Sequence, residues 1–162
     1  MVRWDSEDTT RLQAVWQRVQ TEESVAAVPE LTSQEPGQEE QALAGFLQRT
    51  ARLVAQYRTL ARQGGTLGTL SGRLARAAWA RYRRLQLEWC LRRGDCYPHT
   101  PEIQSPRGRL EALRAVIQES RQLSADYLAA AALEGLRPVC LVFSRAEAEA
   151  AEALCRLLER AI

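Results

Sequence analysis

Two residues of opposite charge stand where a helix would ordinarily turn an apolar side chain inward. In RAAWARYRRLQLEW, Leu74, Ala78 and Leu85 recur at spacings of three to four, the stripe of a helix with a 3.6-residue period, and Arg81 falls in the middle of it. In SRAEAEAAEALCRLLE, Glu147 shares an inner stripe with Phe143, Ala150 and Leu154. A charge on a core face needs a partner or a route to water, because an unpaired buried charge costs several kcal/mol or more. Two readings of Arg81 are therefore open. It pairs with a carboxylate, or its helix is rotated slightly and the guanidinium snorkels outward.

Other side chains with chemical potential are few. The four cysteines, Cys90, Cys96, Cys140 and Cys155, form no C-x-x-C pair, and His99 is the single histidine. They read as reduced, mostly buried thiols acting as small hydrophobes, in preference to a zinc site or a disulfide. His99 lies in a proline-rich stretch, and one histidine cannot supply a two-histidine metal site within one chain. With Cys96 it makes no convincing base and nucleophile. The glycines of RQGGTLGTLSGR lack the preceding strand and the Gly-Lys-Ser/Thr ending of a phosphate loop, so they read as a helix stop.

Helices must position these groups. DSEDTTRLQAVWQRVQ reads as an opening helix with Leu12, Val15, Trp16 and Val19 on one face, followed by an arm to about residue 38 holding two prolines and a glycine. A long helix is expected from about Glu39 to Gln63, with Leu43, Phe46, Leu47, Leu53, Val54, Tyr57 and Leu60 inward, stopped by Gly64 and Gly65. A second runs from about Thr66 to Arg93 and ends at Gly94. DCYPHTPEIQSP cannot be helical throughout. A third is expected to open at Ser105-Pro106 and last to about Leu133, and a fourth to begin near Arg137-Pro138 and run to the end. No segment alternates with a two-residue period, so the class is all-α. Short, long, short connections select an up, down, crossover, down, up bundle over residues 39–162, with residues 1–38 as an additional helix and arm.

With this order, residues 40–162 resemble the ferritin-like, rubrerythrin-related bundles, whose halves each carry a Glu-x6-Tyr helix followed by a Glu-x-x-His helix. The resemblance implies two metal ions in the core and peroxide or iron chemistry. FLQRTARLVAQYRTLA keeps the tyrosine as Tyr57 but has Thr50 at the glutamate position, and the next helix has Ala78 and Arg81 at its two ligand positions. AVIQESRQLSADYLAAA keeps Tyr127 but has Ser120, and the last helix keeps Glu147 but has Ala150. A one-residue shift would bring in Glu119 or Glu149 instead. Iron or manganese needs several inward carboxylates with imidazole, so the expectation is a bundle that has lost its metal site and holds no cofactor. In the same arrangement the second and fourth helices would bring Arg81 and Glu147 together, with Thr50, Ser120 or the tyrosine hydroxyls accepting the remaining guanidinium donors.

Charge distribution frames the partner question. All 22 basic residues are arginine, and neither lysine nor asparagine occurs, which points to a GC-rich coding sequence. Residues 49–93 carry eleven arginines against one acid, Glu88, while residues 1–40 carry three arginines against nine acids. The basic middle reads as a surface for an acidic partner or a second copy of the chain, or as the seat of its own acidic arm. A nucleic-acid surface through Arg73, Arg76, Arg83 and Arg84 is a further reading, although aromatic residues are not interleaved as stacking platforms. The enzymatic alternative is a residual iron- or manganese-binding oxidoreductase using Glu147, Glu88 and ligands from another subunit. No apolar run is long enough to span a bilayer, and MVRWDSEDTT lacks the layout of a secretory signal, so a cytoplasmic, non-enzymatic protein is the expectation.

Overall fold

A computed structural model describes Thr10, residues 13–15, Gln17, residues 36–98 and residues 108–161. The chain divides into two units, Met1–Glu35 and Pro36–Ile162. Most of the expected opening helix and arm lie outside the described residues; Thr10, residues 13–15 and Gln17 are helical. The second unit contains α1 (Gln38–Ala61), α2 (Gly65–Arg93), α3 (Arg109–Ala130) and α4 (Arg137–Ala161), with a 3-10 turn at Glu134–Leu136 before α4. The described residues contain no strand.

The helix ends follow from local chemistry. Gly64 and Gly65 both take positive φ, 70° and 64°, which lets α1 reverse into α2 across a very short link. Gly94 closes α2 at φ 77°, its N–H donating to the Cys90 carbonyl at 2.8 Å. The start of α3 differs from expectation. It begins at Arg109 with extended Gly108 at its N-cap, while Ser105 and Pro106 lie outside the described residues. Pro138 sits in the first turn of α4, where its missing N–H costs no helical bond.

Neighbouring helices run antiparallel, as cross-helix contacts show. Glu39 meets Arg92, and Ala61 lies against Gly68, so α1 and α2 form a hairpin. In the second hairpin Ser124 of α3 meets Ser144 of α4, and Arg121 meets Cys155. Between hairpins, Thr50 meets Tyr127 and Tyr57 meets Ser120, while Arg81 meets Glu147 and Arg92 reaches Gly135 just ahead of α4. Hence α2 ends at one end of the bundle and α3 begins at the other.

Every residue expected inward on α1 is buried: Leu43, Phe46, Leu47, Leu53, Val54, Tyr57 and Leu60. They pack with Ala78 and Leu85 of α2, Val116, Ile117 and Leu123 of α3, and Leu136, Phe143 and Leu154. Leu74 is only partly buried at the edge of this core.

Two glycines test how tightly the first hairpin is set. A Cβ on Gly68 would lie 2.9 Å from the Ala61 carbonyl oxygen, a backbone atom that cannot swing away, whereas a Cβ on Gly45 would meet nothing within 4 Å. Gly68→Ala is expected to destabilise the bundle by about 1–3 kcal/mol. Gly45→Ala, in the middle of α1, should stabilise it by roughly 0.5–1 kcal/mol. Denaturant midpoints of the two variants check both, and equal shifts would contradict the hairpin spacing.

Candidate functional site

A polar cluster sits inside the apolar core, with one or more residues from each helix. Arg81 is 7% exposed and Glu147 0%. From Arg81, Nε donates to Glu147 Oε1 at 3.0 Å and Nη2 to the same oxygen at 2.6 Å. Tyr57 Oη and Ser120 Oγ are hydrogen-bonded at 3.0 Å, and Thr50 Oγ1 and Tyr127 Oη at 3.4 Å. The hydroxyls thus bond one another across the α1–α3 seam, where the sequence suggested that they would serve the guanidinium. Ala78 and Ala150 are buried small side chains on the same faces as Arg81 and Glu147. The ring of Phe46 stacks on Tyr127 at 4.2 Å, and Phe143 meets Tyr127 edge-on at 5.7 Å, which closes the cluster toward one end of the bundle.

Burial dominates the electrostatics. It raises the Glu147 carboxyl above the ordinary range, while the Arg81 charge and hydrogen bonds, with a smaller contribution from Ser120, oppose that rise. Burial, reinforced by the nearby Glu147 charge, pushes the Tyr57 phenol well up. Tyr127 is likewise raised, chiefly by burial, with its Thr50 hydrogen bond opposing. Both tyrosines are neutral hydrogen-bonding groups at physiological pH. One acceptor stands out: Glu147 Oε2 is buried and has no hydrogen-bond partner.

This donor set does not fit two metal ions. Arg81 carries a permanent positive charge and no acceptor, and Thr50, Ser120, Tyr57 and Tyr127 contribute neutral hydroxyls, leaving Glu147 as the carboxylate of the cluster. Among the described residues no three His, Cys, Asp or Glu side chains converge to hold a metal ion. The carboxylates that a shifted alignment would bring in lie elsewhere. Glu119 accepts from Arg49 Nε at 2.7 Å and Glu149 is exposed. Glu88 is clamped by Arg84 at 2.8 Å and Arg92 at 2.7 Å.

The other residues singled out in the sequence are dispersed. Arg73, Arg76, Arg83 and Arg84 are exposed on α2, and His99 lies outside the described residues. The thiols correct the expectation of general burial: only Cys140 is buried, its thiol pushed up to about 11 by desolvation, while Cys96 is exposed and Cys90 and Cys155 are half-buried. Sequence reading missed two arginine hubs. Arg49 bridges Glu119 and Asp126 from α1 to α3, and Arg92 joins Glu39, Glu88 and the Gly135 carbonyl. The Arg-x3-Glu and Glu-x3-Arg spacings around Glu88 signal the local part of the second hub. Neither sequence offers a signal for the long-range partners.

The chain matches no family model, no curated protein and no solved structure.

Truncating one member of the central pair leaves the other buried alone. Glu147→Ala is expected to cost about 3–5 kcal/mol, whereas combining Arg81→Met with Glu147→Leu should cost less than either single truncation and approach wild-type stability. Double-mutant-cycle denaturation measures this; additive losses would contradict the coupling. The pH dependence has a defined sign. Because the folded-state pKa of Glu147 is raised above the unfolded value of about 4.3, the stability tied to its proton is fully present below that value and is lost as pH rises through the folded pKa. The unfolding free energy of wild type minus that of Glu147→Gln should therefore fall as pH is raised from about 4 toward neutrality. A flat or rising difference would contradict the assignment.

Proposed function

We propose that residues 38–161 form a ferritin-like, rubrerythrin-related bundle in which the Arg81–Glu147 pair stands in place of a dinuclear metal centre, and that the chain acts as a non-catalytic structural or partner-binding protein. One observation carries the reading: the Arg81 guanidinium donates twice to the single buried carboxylate of the core cluster. A fixed cation there repels divalent ions and engages Oε1, one of the two carboxylate oxygens that a metal would use. The antiparallel neighbours, with α2 ending at one end of the bundle and α3 beginning at the other, support the up, down, down, up order of such bundles. No helix among the described residues is long and apolar enough to cross a membrane.

The outer face of α2 is the partner surface that this reading favours. Arg73, Arg76, Arg83 and Arg84 are exposed there, together with Leu87 and Leu91 at 47% and 72% exposure. Mixed basic and apolar side chains suit an acidic protein surface better than a nucleic-acid strand, which would use free aromatic faces. Trp79, the exposed aromatic of this helix, already stacks on Tyr82 at 5.2 Å and carries Arg58 at 5.5 Å over its ring.

Elemental analysis of untagged protein, purified without chelator after growth with iron and manganese, tests the central claim. The expected outcome is metal far below one ion per chain; near-stoichiometric iron or manganese would overturn it. For the α2 face, DNA retention that falls steeply with salt would point to nucleic acid in place of an acidic protein.

A further inference from the structure

Outside the core cluster, the sequence pattern gave Cys90 and Cys96 no special relation, yet the fold brings their sulfurs together. Cys90 Sγ donates to Cys96 Sγ at 3.5 Å. Cys90 lies in the last turn of α2, and Cys96 follows the left-handed Gly94 cap, so the chain folds back beside its own helix end. The approach is held by contacts that involve neither thiol. Tyr97 N–H donates to Gln86 Oε1 at 2.9 Å and the Tyr97 carbonyl accepts from Gln86 Nε2 at 2.9 Å. Its hydroxyl accepts from Gln48 Nε2 at 2.5 Å, and its ring meets Trp89 edge-on at 5.0 Å. Pinning Tyr97 fixes Cys96 next to Cys90 whether or not the sulfurs are bonded. A disulfide requires sulfurs about 2.05 Å apart, so the two sulfurs must approach by about 1.5 Å for the bond to close.

We propose that Cys90 and Cys96 form a reversible redox site, a dithiol that low-molecular-weight disulfides such as glutathione disulfide convert to an intramolecular disulfide. Cys96 is exposed and Cys90 half-buried, which assigns their order of reaction. The Cys96 thiolate attacks one sulfur of glutathione disulfide; a new S–S bond forms, the old one breaks, and one glutathione thiolate leaves. Cys90, after losing its proton to solvent, attacks the Cys96 sulfur of the mixed disulfide and expels the second glutathione, which takes up a proton. The dithiol is oxidised by two electrons and the small disulfide is reduced to two thiols. The hydrogen bond to Cys96, more than burial, holds the Cys90 thiol above its ordinary range, consistent with its acting second. Closure staples the segment that leaves α2 to the helix end. The site is independent of the metal question and goes beyond the proposed structural role.

Trypsin gives a direct readout, because Arg92 and Arg93 lie between the two cysteines. The full chain is equilibrated in glutathione buffers of graded oxidised fraction, quenched with acid, alkylated and digested. LQLEWCLR and GDCYPHTPEIQSPR should appear joined under oxidising conditions and separate again with excess reduced glutathione. Cys90→Ser should instead trap a lasting glutathione adduct on Cys96, and Cys140→Ser and Cys155→Ser should leave the joined pair unchanged. Three outcomes would overturn the site: four free thiols throughout, a persistent wild-type adduct on Cys96 that never passes to Cys90, or a link formed mainly between chains.

Discussion

An arginine inside an apolar core sets the terms for everything packed around it. Arg81 cannot shed its charge, so the bundle must offer a carboxylate at the right height on the facing helix and then keep water out without leaving either ion alone. Glu147 meets that requirement through one oxygen that receives both donors. The pair forces α2 and α4 into one alignment, and the small neighbours Ala78 and Ala150 leave room for the long arginine side chain to cross. An apolar pair of similar volume is expected to approach the same stability, so stability alone does not account for the arrangement.

The hydroxyl pairs serve the same end on the other seam. Tyr57 and Tyr127 are large enough to fill the core, and each brings a hydroxyl that burial would penalise if it were unmatched. Ser120 and Thr50 match them from the facing helix. The result is an all-helical unit in which each seam between hairpins carries buried polar contacts, while its remaining area is apolar. At one end Arg92 gathers Glu39, Glu88 and the Gly135 carbonyl, tying the start of α1 to the entry of α4.

Much of this was legible in the sequence because helical periodicity is a local signal. The inward residues of α1, the glycine stop at Gly64-Gly65 and the odd placement of Arg81 and Glu147 can all be read within a window of a few turns. The start of α3 was not, since Ser105-Pro106 carries the local chemistry of a helix start while the helix begins at Arg109. The partners of Arg49 were equally hidden: Glu119 and Asp126 are distant in sequence, and only the pairing of α1 with α3 makes them neighbours. The Cys90–Cys96 approach failed for a related reason. A spacing with five intervening residues is not a motif, and it acquires meaning only once Gly94 turns the chain back and Gln86 captures Tyr97.

The polar contacts that cross between the hairpins share a property that the apolar core lacks. Leucine and alanine faces tolerate sliding, because one helical turn, about 5.4 Å, presents a similar stripe again. Arg81 with Glu147, Tyr57 with Ser120, Thr50 with Tyr127, and Glu39 with the Gly135 N–H do not. A slip of one turn would break all four together and strand a guanidinium and a carboxylate in the interior. The interface therefore behaves as a keyed joint: hydrophobic burial drives the two hairpins together, and the ion pair and hydroxyls decide the single notch at which they lock.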